Sequence, residues 1–161
     1  MIIEIKKCEL DDRNIKAVIA LSKEWESEDL TYGYCANDKN DLIGNDLFLA
    51  YSDAQIIGYL FGKCSVLNEA ITPIDKGSKC FDINEIYVKE KYRSQGIGKA
   101  LFEYTENYHK QNVDYITLST ATKNYKSILY FYIEKMDMSF WSAKLFKKIY
   151  SPRMIAAMMI L

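Results

Sequence analysis

Histidine occurs once in this chain of 161 residues, at His109. One imidazole leaves too few soft ligands for a zinc site and argues against a histidine-based triad. The four cysteines, Cys8, Cys35, Cys64 and Cys80, stand far apart with no C-x-x-C spacing. Two prolines and seven glycines leave little material for a hinge, and no repeat or low-complexity stretch breaks the chain. Neither sign of charge prevails: 21 Lys+Arg against 22 Asp+Glu give a net charge of -1, which argues against a nucleic-acid partner. The most apolar segment, Met154 to Leu161, falls far short of the roughly 20 residues of a membrane helix. The opening run from Met1 to Lys7 is charged too early for a signal peptide. Isolated thiols without an export signal make a reducing cytoplasm the expected location, with no membrane partner. What is present is an ordinary globular composition, 49% hydrophobic and 27% charged, in one domain's length. Chemistry has to come from carboxylates, tyrosines and backbone amides.

Hydrophobic periodicity divides the chain into alternating strands and helices. Ile2 to Cys8 reads as a strand, and Asp11 and Asp12 offer N-caps to a helix with Ile15, Val18, Ile19, Ser22 and Trp25 on one face. Asp46 to Tyr51 and Gln55 to Val66 read as a hairpin, and Leu67 to Lys79 as a loop. In the strand Cys80 to Val88, period two puts Phe81, Ile83, Glu85 and Tyr87 on one face, with Glu85 a lone acid among apolar neighbours. Gly96 opens a helix whose expected core stripe is Ile97, Leu101, Tyr104 and Tyr108. Tyr115 to Thr120 reads as a strand, Asn124 to Lys135 as a helix and Phe140 to Ile149 as a final strand. This order defines a mixed α/β sheet.

The segment Arg93-Ser94-Gln95-Gly96-Ile97-Gly98-Lys99 lies between a strand and a helix. Two glycines let the backbone turn tightly and approach a ligand, and the first helical turn offers unpaired N–H groups with partial positive charge. A diphosphate suits such a loop, with Arg93 and Lys99 adding charge. The plainer reading is a turn whose glycines serve close packing. A dinucleotide fingerprint fails at Leu101, and a P-loop fails at Arg93 and Ala100.

The surviving pattern is R-x-x-G-x-G after the strand Glu85-Ile86-Tyr87-Val88, with Asn124 and then Phe131-Tyr132 downstream. In this it resembles the GNAT N-acetyltransferase superfamily, across residues 1–149. The resemblance implies a single domain with a mostly antiparallel central sheet flanked by helices. It implies acetyl-CoA as cosubstrate, no metal, direct attack of an amine on the thioester, and a homodimer by family habit. The loop from Arg93 through Lys99 would hold the diphosphate. The backbones of Ile86, Tyr87 and Val88, with Asn124, would hold the pantetheine, and the amide of Tyr87 or Val88 would face the oxyanion. Glu85 is the candidate base, its alternative being a partner for a core lysine. Tyr132 is the candidate acid, with Tyr130 as fallback. Where the family has glycine four residues after this tyrosine, the chain has Met136, so the helix end must be built differently. Residues 150–161 fall past the pattern as an apolar tail of unassigned role.

The helix and loop from Trp25 to Asn45 look most like aminoglycoside- and polyamine-type members. Glu24, Glu26, Glu28 and Asp29 suit a cationic amine there, or are simply a solvated helix end. Peptide or protein amines, a silent acetyl-CoA sensor and an interaction module are the alternatives. A ping-pong scheme on Cys64 or Cys80 finds no base, because His109 falls far along the chain.

Overall fold

Leu47, Phe48, Leu49 and Ala50 are consecutive and all fully buried, which requires cover on both faces of their strand. The computed structural model describes residues 2–145 and supplies that cover. Strands β1 (Ile3–Cys8), β2 (Asp46–Ser52), β3 (Gln55–Val66), β4 (Lys79–Val88) and β5 (Tyr115–Leu118) form one sheet in chain order. The first four pair antiparallel and β5 joins β4 in parallel. Alternate residues of β2 go to opposite sides. Phe48 and Ala50 pack with Ile97, Leu101 and Phe102 of α3 (Ile97–His109), while Leu47 and Leu49 pack with Ile15, Val18 and Leu21 of α1 (Asp12–Glu28). The short α2 (Lys39–Leu42) adds Leu42 to the second cluster, and α4 (Tyr125–Tyr130) follows β5. This is the mixed, mostly antiparallel sheet expected from the sequence.

Local chemistry sets the boundaries. Asp11 caps α1 by accepting from the Asn14 amide at 2.7 Å, and the β2–β3 turn runs through Asp53 (φ 48°) and Ala54 (φ 66°), the two left-handed residues of a tight hairpin. In α3 the buried face is Ile97, Leu101, Phe102, Thr105 and His109, so the expected stripe is corrected. Tyr104 and Tyr108 are 39% and 48% exposed and lay their rings against Phe48 from the rim. Thr105 can take the core position because its hydroxyl donates to the Leu101 carbonyl at 2.8 Å.

A β-bulge corrects the reading of β4. Phe61 faces Glu85 but the next residue, Gly62, faces Ile83, so Asn84 is an extra residue and the side-chain alternation changes phase there. Phe81 and Ile83 therefore pack on the α3 side, whereas Tyr87 packs on the α1 side with Tyr59 and Phe61. Gly62 allows this because β4 crosses it closely; a methyl group there would collide with the Asp82 carbonyl.

The chain end also differs from expectation. The helix after Asn124 widens into a π-helical turn, Phe131–Lys135, with the Met136 amide donating to the Phe131 carbonyl at 3.1 Å. Asp137 (φ 54°) then turns the chain away, and Phe140 to Leu145 is exposed and unpaired, not a strand. No described strand lends that segment a ladder. The rest of the expected final strand and the tail at 150–161 lie outside the described residues. No described helix is long and apolar enough to cross a membrane.

Gly62→Ala is expected to destabilise the fold by about 1–3 kcal/mol through overpacking against β4, read as a lower urea midpoint.

Candidate active site

β4 outruns its neighbour. Pairing with β5 covers Cys80 to Ile83 and stops at Leu118, while pairing with β3 continues to Val88. Between the freed edge and the chain leaving β5 opens a cleft of about 810 Å³, a size suited to a small-molecule ligand. The segment after α1 closes one side: the Tyr32 amide donates to the Ala121 carbonyl at 3.0 Å and the Lys123 amide to the Leu30 carbonyl at 2.8 Å.

The edge itself can be sorted by residue. The Lys89 amide donates to the Ile57 carbonyl at 2.9 Å, and the Tyr87 carbonyl lies against Gly58, so both residues spend their backbone groups on β3. Strand alternation turns those of Ile86 and Val88 toward the open side. There Arg93 Nε donates to the Val88 carbonyl at 2.8 Å.

Glu85 lines the cleft from this edge. Its Oε2 accepts from Tyr59 Oη at 2.7 Å, Asn37 Nδ2 at 2.8 Å and Tyr34 Oη at 3.2 Å. Burial pushes the carboxyl above the usual range, and the three donors pull it back only in part. Burial likewise raises the phenols of Tyr59 and Tyr34, so both remain protonated donors. The expected alternative, a core lysine, is not the partner: two tyrosines and an asparagine are. Sequence reasoning missed all three, because Tyr34 and Asn37 come from a loop some fifty positions away and Tyr59 reads as ordinary strand packing.

The glycine loop rises at the cleft's other end. Ser94 (φ 60°) and Gly96 (φ 81°) are left-handed, and α3 starts without a side-chain cap. The first helical hydrogen bond is from the Ala100 amide to the Gly96 carbonyl, so the amides of Ile97, Gly98 and Lys99 have no partner within the helix. Close packing does not explain the glycines. A side chain at Gly96 would meet nothing within 4 Å, and one at Gly98 only the Phe131 ring at 3.7 Å. The space above them belongs to the cleft, which Ser94, Gly96, Ile97, Gly98 and Lys99 all line. Gln95 does not line it; its side chain turns back to the Lys91 carbonyl at 3.1 Å. An open strand edge leading to a ring of unpaired amides fits an elongated cosubstrate ending in a diphosphate.

Two further expected residues reach the cleft. Asn124 precedes α4 and makes no side-chain cap, leaving its amide group available to the cleft it lines. Tyr132 projects from the π-helical turn, 8% exposed, and burial pushes its hydroxyl up to about 12. That hydroxyl has no hydrogen-bond partner among the described residues. Tyr130, the fallback, is 55% exposed and does not line the cleft.

The acidic end of α1 is not the free cluster its sequence suggests. Glu24 pairs with Lys89 at 3.2 Å and Asp29 with Lys123 at 2.7 Å. Glu28 takes Arg93 Nη2 on both oxygens, at 2.8 and 2.7 Å, and also accepts from Tyr87 Oη at 2.8 Å. Arg93 is thereby spent on Glu28 and the Val88 carbonyl, and Lys99 pairs with Glu103 at 3.1 Å. The positive potential of the loop rests mainly on its amides.

The structure also brings together what the sequence keeps apart: Cys64 Sγ lies 3.7 Å from His109 Nδ1. A long stretch of sequence hid the pair because β3 and the end of α3 meet only in the fold. Neither residue lines the cleft, and burial, then Asp46 and Asp82, push the Cys64 thiol up, so this pair gives no acyl-carrying nucleophile.

The sheet, the open edge of β4 and the glycine loop agree with the fold that the resemblance implies, and comparison with known proteins identifies the family. Residues 8–137 match the model of the acetyltransferase (GNAT) family, to which this chain belongs. It is an acetyl-CoA-dependent N-acetyltransferase. No curated protein sequence matches the chain. Among solved structures it is similar to an aminoglycoside acetyltransferase from an uncultured soil metagenomic sample, at 13% identity and TM-score 0.67, covering 92% of this chain and 97% of that one. It is also similar to a ribosomal-protein-alanine N-acetyltransferase from Brucella melitensis biovar Abortus 2308 (16%, TM-score 0.65, 91% and 99% covered). A third is a predicted acetyltransferase from Clostridium acetobutylicum solved with acetyl-CoA (17%, TM-score 0.63, 91% and 96% covered). These identities speak for the fold.

Glu28→Gln, which halves the clamp on Arg93, is expected to lower stability by about 1–2 kcal/mol in urea denaturation, whereas Glu26→Gln, at an exposed side chain with no ion pair among the described residues, changes it little.

Proposed function

We propose that the chain moves the acetyl group of acetyl-CoA directly to a primary amine of a small cationic substrate, aminoglycoside- or polyamine-like. The observation that carries this reading is the juxtaposition in one cleft of the buried Glu85 carboxylate, the open edge of β4 and the unpaired amides of α3. No cysteine lines that cleft, which supports direct transfer over an acyl-enzyme. Acetyl-CoA, when bound, supplies an acyl group activated as a thioester.

Each residue then has a task set by its position. Ile86 and Val88 offer backbone groups to the pantetheine, and Asn124 adds a side-chain contact. Of the two amides expected at the oxyanion, that of Val88 is on the cleft side, and the Tyr87 amide belongs to the β3 ladder. The amides of Ile97, Gly98 and Lys99, with Ser94 and Gly96 shaping the turn, receive the diphosphate. Glu85 takes one proton from the incoming ammonium, directly or through water, so that the neutral amine can attack; the nitrogen's second proton leaves as the amide forms and restores the Tyr132 phenol. Tyr132 gives its phenolic proton to the sulfur as the carbon–sulfur bond breaks. Its high pKa keeps that proton in place at neutral pH until the sulfur departs.

A cationic acceptor is supported by the wall beside Glu85. Trp25 and Tyr34 pack together with ring centroids 4.2 Å apart and both line the cleft, an electron-rich wall that suits an ammonium beside the carboxylate. The solved relatives that carry the name aminoglycoside acetyltransferase add support of the same kind. The four free thiols support a reducing, cytoplasmic setting.

A thiol-release assay with acetyl-CoA against aminoglycosides, polyamines and peptides tests the acceptor. Turnover with one of the first two classes is expected; turnover with peptides alone, or none, overturns the reading. Because the Glu85 carboxyl lies above the usual range, the acid limb of kcat/KM should sit above it too, with activity lost as pH falls through that limb. Glu85→Gln should cost about a hundredfold or more near neutral pH and less in alkali, where the amine is already neutral. Tyr132→Phe should lower kcat with little change in KM for acetyl-CoA.

A further inference from the structure

Outside the cleft, one side chain among the described residues is buried with a polar atom left over. His109 ends α3 with its side chain 4% exposed, stacked on Phe81 at 4.0 Å and edge-on to Phe48 and Tyr108. Its Nε2 has no hydrogen-bond partner among the described residues. Asp46 Oδ2 lies 3.6 Å from that atom, and Cys64 Sγ lies 3.7 Å from Nδ1. One donor atom from each of the three falls within 4.8 Å of the others. The Cys64–Nδ1 contact has the ordinary length of a sulfur hydrogen bond, so the atom left over is Nε2, whose separation from Asp46 Oδ2 suits two ligands of one ion; Cys64 Sγ, inside the same 4.8 Å group, would turn from Nδ1 to join them. Two ligand atoms at about 2.0–2.3 Å from a tetrahedral zinc stand about 3.3–3.7 Å apart.

We propose that Asp46, Cys64 and His109 form a binding site for a soft divalent transition metal, zinc-like in its demands, remote from the acetyl-transfer cleft. A nitrogen, a sulfur and an oxygen donor match the ligand preferences of zinc, and a water would complete four-coordination at the half-open side where Asp46 and Cys64 meet solvent. Thiolate and carboxylate together neutralise the two charges of the ion. Lys7 Nζ, 3.1 Å from Asp46 Oδ1, holds the other carboxylate oxygen and leaves Oδ2 for the metal. Counting soft ligands along the sequence misses such a site, because the third donor is a carboxylate and all three come from different elements.

Reduced, metal-free protein titrated with Co²⁺ as the probe tests this, followed by competition with Zn²⁺. One equivalent is expected to produce a thiolate-to-cobalt charge-transfer band that Zn²⁺ abolishes. Cys64→Ser should lose the band and bind Zn²⁺ at least about tenfold more weakly. Asp46→Asn should keep the band with weakened Zn²⁺ affinity, and Cys35→Ser, which removes an exposed thiol elsewhere, should change neither. The proposal is overturned by no band in the wild type, by a band that survives Cys64→Ser or disappears in Cys35→Ser, or by unchanged affinity in Asp46→Asn. Acetyl transfer does not enter the readout, so this result and that of the thiol-release assay are independent.

Discussion

The end of pairing between β4 and β5 is the constraint on which the site depends. A strand with a neighbour on each side has no backbone groups to offer a ligand; one that loses a neighbour presents a row of them. Here the loss begins after Ile83, so the backbone at Ile86 and Val88 faces a cleft in place of a strand. The bulge at Asn84 falls at the same point and brings Glu85 and Tyr87 to the α1 side. The end of the β5 pairing opens the edge, and the bulge beside it aims the acid.

Around that edge, polar groups are satisfied in a way that separates holding from reacting. Tyr59, Asn37 and Tyr34 all converge on one oxygen of Glu85. Their hydrogen bonds fix the carboxylate without supplying a positive charge, so burial still governs its proton affinity. An Arg or Lys in their place would hold the group as well but would make it a weak base. On the same side of the sheet α1 is anchored by Glu28, which reaches Arg93 and Tyr87 together.

Much of the fold was legible from periodicity, since β1 to β4, α1 and the start of α3 need only local pattern and capping. The R-x-x-G-x-G loop was legible as a ligand site because glycine and helix-start chemistry are local too. The phase change in β4 was not, because nothing in the strand itself announces that Gly62, on its neighbour, will admit an extra residue. Nor were the partners of Glu85, of Glu28 or of His109, each of which is joined across many tens of residues. The core face of α3 was misjudged because Thr105 buries its hydroxyl on its own helix, a compensation that hydrophobicity alone does not register. The wide turn at Phe131–Lys135 had a hint in Met136, where a helix-ending glycine was expected and another ending had to replace it.

The pairing of Arg93 with Glu28 and of Lys99 with Glu103 leaves the loop nearly neutral in whole charges. Its hold on an anion then comes from oriented peptide groups, whose partial charges act over a few ångströms. Dissolved ions blunt long-range attraction between full charges far more than short-range contact with fixed dipoles. Donor capture by this enzyme should accordingly be tolerant of ionic strength, and slow to be accelerated by electrostatic steering.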